Sequence, residues 1–99
     1  MREIPLLREP SQTCSVVLEG QNCQLSVYQK STGVFLDLRI NHVPVAMAVL
    51  GHDRVRLIRE TYNGFVGDLA FVDTQGRDDP VYTGFGGRFK LMYLEASDL

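Results

Sequence analysis

The sequence contains no tryptophan and only two cysteines among its 99 residues. It also has no surplus of charge, because ten basic and twelve acidic residues leave a formal net charge of −2. This balance argues against a general nucleic-acid or membrane-surface binder, since either would need a basic surplus. No stretch approaches the roughly 20 apolar residues of a membrane span, and the charged, proline-containing start is unlike a signal peptide. We therefore expect a cytosolic chain with reduced thiols.

The residues that are present predict a single all-β domain spanning residues 1–99. Hydrophobic residues make up 44% of the chain, which is ordinary for a globular protein and too high for a disordered one. A chain of this length buries roughly 60–70% of its unfolded surface. That is enough for a core that needs neither disulfides nor metal.

Residues 13–50 predict a four-stranded antiparallel meander, because three successive turns place the apolar residues on one face. The first turn is predicted as type II′, with Gly20 at its first central position. The predicted ladder pairs Leu18 with Cys23 beyond the first turn, Lys30 with Gly33 at the second and Ile40 with Val43 at the third. In this register Cys14 and Cys23 lie four ladder positions apart, or about 13 Å at ~3.3 Å per residue. A disulfide needs Cα atoms within about 7 Å, so both cysteines are predicted to be core thiols.

The segment from Val43 to Leu50 carries no charge. Continuing the pairing beyond the third turn places Val45 opposite Leu38 and Met47 opposite Leu36. Val45 and Met47 are therefore predicted to face inward. An uncharged strand is typical either of the interior of a sheet or of a contact with another subunit. Both interpretations remain open from the sequence.

The C-terminal half predicts further strands separated by polar loops. Residues 52–62 fit either a charged edge strand or a short helical turn. A strand is predicted from Phe65 to Val72, and a final strand spans residues 88–95. The loops are predicted at residues 73–80 and 84–87. Since closure or sheet packing removes exposed edges, the meander is expected to belong to a small antiparallel barrel or sandwich.

Candidate metal and phosphate sites are weak. The glycine-rich loop at residues 84–87 lacks the Gly-Lys-Ser/Thr ending of a phosphate-binding loop, so a turn between strands is the better interpretation. Asp73, Asp78 and Asp79 do not follow the spacing of a calcium loop and are predicted to form a solvated acidic loop. The spacing of the cysteines and histidines is unlike that of a zinc site. We predict no metal and no cofactor.

Catalytic candidates are equally weak, and we predict that the chain is not an enzyme. Cys14 and Cys23 are assigned to the core, and no serine lies in a nucleophile-elbow motif. An enzyme would predict that His42→Ala or His52→Ala abolishes turnover. The basic and aromatic run of residues 88–90 is typical of single-strand binders, but one such triplet fits a solvated strand face better.

An aromatic pair is the most suggestive surface feature. The second turn places Tyr28 opposite Phe35, on the face shared with Asp37 and Arg39 and not on the apolar face. Either a second layer of the domain covers this pair, or the pair is an aromatic contact for a partner.

Four stretches together resemble the phage baseplate plug family, small tail proteins of contractile-tailed bacteriophages. They are REIPL at residues 2–6, CQLSVYQK at 23–30, GFVGDLAFVDTQG at 64–76 and DPVYTGFGGRF at 79–89. The likeness spans nearly the whole chain, and residues 67–76 are its most specific part. One departure is Asn41-His42, where the family pattern favours Asn-Gly. Histidine can adopt positive φ, so a type I′ turn is still expected there.

The resemblance implies a structural virion protein of the tail baseplate, assembled in the bacterial host cytoplasm. It would plug the central channel near hub, tube and spike before DNA ejection, and these tail proteins would be its partners. The resemblance leaves homo-oligomerisation around the tail axis open, and it supplies no catalytic residues. No membrane, nucleic-acid or soluble small-molecule partner is expected. The rival interpretation is a free-standing module that binds a peptide or glycan through Tyr28 and Phe35.

Overall fold

The computed structural model describes residues 2–58, 66–95 and 98, which form two antiparallel sheets. One sheet has four strands in the order β2-β3-β4-β5, and the other has three in the order β1-β7-β6. The strands are β1 (Arg2–Ile4), β2 (Ser11–Leu18), β3 (Gln21–Lys30), β4 (Gly33–Ile40), β5 (Val43–Leu50), β6 (Asp68–Asp73) and β7 (Phe89–Leu94). A 3-10 turn at Tyr82–Gly84 precedes β7.

The two sheets share one hydrophobic core and form a sandwich rather than a closed barrel. Every second residue of β3 and β4 is buried, and β7 shows the same alternation. The largest fully buried side chains come from both sheets and from the loop before β7: Tyr93, Phe71, Phe85, Leu18, Leu25, Leu36, Leu38, Leu69 and Leu91. Each contributes roughly 1.5–3 kcal/mol of burial free energy. In the described ranges, no helix has the length and apolar character needed to cross a membrane.

The hairpin of β3 and β4 has the register predicted from the sequence. Lys30 pairs with Gly33, Val27 with Leu36, and Tyr28 with Phe35. Since the two-residue turn fixes the closing pair, every later pair follows from it. The prediction is confirmed along the whole ladder.

The hairpin of β2 and β3 is displaced by two residues from the prediction. Leu18 pairs with Gln21 rather than with Cys23, so the central turn residues are Glu19 and Gly20, at φ of 50° and 74°. Two positive φ angles indicate a type I′ turn, and the predicted type II′ turn is wrong. The predicted face survives because side chains alternate with a period of two, so a two-residue shift keeps each one on its side of the sheet.

This register also brings the cysteines closer together than predicted. Cys14 pairs with Leu25, and Cys23 pairs with Val16, so the cysteines are two ladder positions apart instead of four. Both are free thiols, with Cys23 buried and Cys14 partly buried. The assignment as core thiols holds for Cys23, whereas Cys14 packs at the margin of the core.

Strand β5 departs from the predicted ladder after its first two pairs. Ile40 pairs with Val43 as expected, but Leu38 then pairs with Ala46, and register shifts occur on both sides of Leu38. Met47, predicted to face inward, is 45% exposed. Among the described strands it also lies at the edge of its sheet, so the interior-strand interpretation is wrong for this part of the chain. The extra residues of the bulges explain why simple alternation fails here.

The third turn of the meander has the conformation predicted for it. Asn41 and His42 adopt φ of 51° and 66°. Two positive φ angles are those of a type I′ turn, so histidine takes the position for which glycine is usually preferred.

Residues 51–58 lie beside β6 without forming a named strand. The main-chain amides of Arg54 and Leu57 donate to the carbonyls of Phe71 and Leu69, at 2.7 and 2.8 Å. Of the two conformations left open for residues 52–62, the described part fits an irregular edge segment. Residues 59–62, together with Phe65 in the next predicted strand, lie outside the described residues.

The sheet of β1, β7 and β6 confirms the predicted final strand. Phe89, Leu91 and Tyr93 are all buried on one side of β7. The N-terminal strand β1 pairs with β7. It was not predicted, because three residues are too few for an alternating pattern to be read.

Candidate interaction surface

Tyr28 and Phe35 lie on the outer face of the four-stranded sheet, the face turned away from the core. They are opposite one another on β3 and β4, and their rings stack with centroids 5.9 Å apart and planes 17° apart. Both are partly exposed. Within the described residues no second layer packs over this face, since the three-stranded sheet covers the other one. Leu50 extends the pair toward the sheet edge, because Phe35 lies opposite it on β5.

We call Tyr28, Phe35 and Leu50 the aromatic band. Its leucine packs against the β3–β4 turn, where a Cβ added to Gly33 would lie 3.0 Å from Leu50 Cδ1. At the other end the ammonium of Lys30 lies 5.6 Å from the centre of the Tyr28 ring. The band is therefore a continuous, partly exposed apolar strip that crosses three strands.

Asp37 fixes the conformation of the band. Its Oδ1 accepts hydrogen bonds from the Tyr28 hydroxyl at 2.9 Å and from the Ala48 main-chain amide at 2.7 Å. Ala48 has a φ of 53°, a conformation that non-glycine residues adopt only with support. Partial burial is the largest of the effects that raise the pKa of Tyr28. The hydrogen bond to Asp37 and the negative charge of Asp37 raise it further. The hydroxyl consequently remains protonated and keeps donating at neutral pH.

The sequence pattern identified the aromatic pair but not the role of Asp37. A single acid at an outward position of an alternating strand is ordinary. The available signal was its position diagonal to Tyr28 on the neighbouring strand, which brings a carboxylate within reach of a tyrosine hydroxyl.

The acidic loop that follows β6 is built around a buried carboxylate. Asp73 is 1% exposed, and its two oxygens accept from the amides of Gln75 and Asp78, each at 2.9 Å. The Arg88 guanidinium adds two more bonds, at 2.9 and 2.8 Å, and also contacts Asp78 at 2.6 Å. The prediction of a solvated loop is therefore wrong for Asp73, whose oxygens are occupied by donors of the protein.

The pKa values of two aspartates in this region, Asp73 and Asp79, are lowered by their hydrogen bonds. The Arg88 hydrogen bond lowers the pKa of Asp73 further than its burial raises it. Hydrogen bonds from the Asp53 amide and from His52 likewise lower the pKa of Asp79. Since an unfolded aspartate titrates near ~3.9, the unfolded chain binds more protons in acid. The stabilisation is present above about pH 4 and is lost as the pH falls toward the folded values.

The two histidines do not come together in a common site. His52 Nδ1 lies 3.0 Å from Asp79 Oδ2, with about half of each side chain exposed, whereas His42 occupies the exposed turn between β4 and β5. Burial raises the pKa of both Cys14 and Cys23, which disfavours their thiolate form. Among the described residues no group of three or more histidine, cysteine or acidic side chains is placed to hold a metal ion.

The glycine-rich and basic segments around β7 serve packing and pairing. Phe85 is buried and stacks on Phe71, with ring centroids 6.2 Å apart, so residues 84–87 form the predicted turn between strands. Arg88 lies 5.0 Å above the ring of Phe89 while its guanidinium binds acids. Lys90 pairs with Glu3 at 3.3 Å. The basic charges of residues 88–90 are thus largely neutralised by neighbouring carboxylates.

A family model described as cyanophage baseplate Pam3 plug gp18 matches residues 1–96. The match includes both sheets and the aromatic band. No curated protein sequence matches the chain.

Proposed function

The chain belongs to the cyanophage baseplate plug family, and we propose that it closes the central channel of a contractile phage tail until DNA is ejected. The match over residues 1–96 is the observation that carries this proposal. Membership implies a location in the virion tail baseplate and association with other tail components. We further propose that these components are hub, tube and spike proteins, joined during assembly in the host cytoplasm.

The distribution of the polar side chains supports a structural role over an enzymatic one. The buried acids Asp68 and Asp73 accept hydrogen bonds from main-chain amides and arginines. Such contacts stabilise loops and occupy the oxygens of both carboxylates, so neither acid is placed to exchange a proton with a substrate. We propose that the function depends on shape and surface contacts, and that the chain performs no turnover.

Structure determination of purified tails would test the proposal. Tails from phage with and without this gene would be imaged by electron cryomicroscopy before and after triggered contraction. We expect density for the two-sheet sandwich on the tail axis before contraction only in tails that carry the gene. The same maps would give the copy number and any ring symmetry. Absence of the chain from purified virions would refute the proposal.

A pull-down distinguishes the rival binding module. Affinity purification of the tagged chain from infected cells should recover hub, tube or spike proteins in stoichiometric amounts. Recovery of the bare domain, together with its absence from virions, would instead support a free-standing module for a peptide or glycan.

A further inference from the structure

We propose that the aromatic band docks onto a neighbouring tail protein whose contact surface has an apolar centre and a rim of carboxylates. The inference rests on the proposed function, because it names the surface by which a baseplate component meets its neighbour. Three properties of the outer face carry it: the exposed apolar strip, its rigid support and its net positive charge.

The support of the band lowers the cost of binding. Asp37 holds Tyr28 and the bulged part of β5 through two hydrogen bonds to one oxygen. Tyr28 also stacks on Phe35, so both rings are held before any partner arrives. Immobilising a free side chain at an interface costs roughly 0.5–1.5 kcal/mol, and much of that cost is avoided here. Pre-ordered aromatic side chains are typical binding anchors.

The charges that flank the band define the chemistry of the partner. Lys30 lies against the Tyr28 ring, and Arg39 occupies the same face of β4 further along the strand. Neither forms an ion pair with any described residue, whereas Lys90, Arg54, Arg56 and Arg88 all do. The acid on this stretch of β4, Asp37, keeps its negative charge, because its two hydrogen bonds come from neutral donors. Lys30, Arg39 and Asp37 together leave this face with a net charge of +1, in a chain whose net charge is −2.

This charge pattern argues for a different protein as the occupant and against a second copy of the same face. Two copies meeting through the band would each bring the same net positive charge to the contact, and like charges across an interface are unfavourable. Carboxylates on a partner would instead pair with Lys30 and Arg39, while its apolar centre would cover the rings. We infer a heterologous contact with an acidic-rimmed surface.

Site-specific photo-crosslinking tests the location of the contact. The full chain would carry p-benzoylphenylalanine in place of Phe35 and be added to purified tails that lack the chain. A matched control would carry the same group in place of Val17, which is 55% exposed at the opposite edge of the same sheet. We expect the Phe35 position to crosslink to a tail-protein peptide rich in Asp or Glu, and the Val17 position not to do so. Crosslinks only from Val17, or only between copies of the chain, would overturn the inference.

Charge reversal tests the chemistry of the partner without disturbing the core. Lys30→Glu changes an exposed residue at the end of β3, and we expect about tenfold weaker binding to the same tails, with less salt dependence than the unmutated chain. Val17→Ser is the control and should bind normally. Unchanged binding by Lys30→Glu would refute the acidic rim. Normal incorporation into virions combined with no crosslink at Phe35 would refute this inference alone, whereas absence from virions would refute the proposed function.

Discussion

Replacing Asp68 by asparagine should destabilise the sandwich strongly although the two side chains have nearly the same shape. Asp68 is 1% exposed at the start of β6. Its Oδ1 accepts from the buried amides of Ile58 and Leu69 at 2.8 and 2.7 Å, and its Oδ2 accepts from Arg56 Nε at 2.9 Å. One carboxylate thus attaches the segment after the meander to the second sheet.

The size of the effect follows from which contacts an amide can keep. The oxygen of asparagine can still accept from the two main-chain amides, but as a neutral group. Its NH₂ would face the Nε–H of Arg56, so two donors would meet. Hydrogen bonds to charged groups contribute roughly 1.5–3 kcal/mol each, and we expect Asp68→Asn to lower the free energy of unfolding by about 2–3 kcal/mol.

Urea denaturation at pH 7 measures this loss directly. With a slope of about 1.5 kcal/mol per molar urea, typical of a small domain, the midpoint should fall by roughly 1.3–2 M. Glu9→Gln is the matched control, since it makes the same acid-to-amide change on an exposed residue and should change stability by no more than about 0.5 kcal/mol. A loss below about 1 kcal/mol for Asp68→Asn at an unchanged slope would show that the carboxylate does not hold this segment.

Three further outcomes are expected from the structure. The melting temperature should fall as the pH drops below about 4. The fall should be less steep in Asp73→Asn, because this variant lacks the Asp73 carboxyl that takes up a proton on unfolding. Parallel pH profiles of the two proteins would contradict this. Gly67→Ala should cost more than about 2 kcal/mol in a thermal melt, since φ is +94° and the added Cβ would overlap the Leu94 carbonyl. Leu36→Ala should cost about 2–5 kcal/mol because it opens a cavity in the core, whereas Val17→Ala on the exposed edge should stay within about 0.5 kcal/mol.

The sequence predicts both the faces and the register of the β3–β4 hairpin but only the faces of the β2–β3 hairpin, and the reason is geometric. The faces of β2, β3 and β4 follow from alternation alone. The register of β3 and β4 follows as well, because Gly33 fixes where that turn closes. For β2 and β3, Gly20 is compatible with two turn positions, and a shift of two residues leaves every face unchanged. Alternation therefore cannot choose between Leu18–Gln21 and Leu18–Cys23.

The side chains that organise the polar regions could not be predicted because their partners are remote in sequence. Asp73 is 15 residues from Arg88, and Asp68 is 10 residues from the Ile58 amide. In the sequence, Asp73 precedes a run of polar and glycine residues, so it resembles any solvated loop acid. The bulges of β5 have the same origin, since the Asp37 bond to Ala48 depends on a contact between two strands. Short-range patterns predict faces and turns, whereas single polar bonds across elements require the fold.

The edge at β5 shows how the chain can be exposed to neighbours without pairing with them as a strand. Ile40 and Val43 close the turn as a hydrogen-bonded pair, so the next residue, Pro44, directs its main chain away from β4. Proline has no N–H to offer there, and the bulges twist the rest of the edge out of line. An uncharged strand with Met47 exposed is thereby protected against strand addition. A contact on this side would consequently be made by side chains, as in the docking that we propose for the adjoining aromatic band.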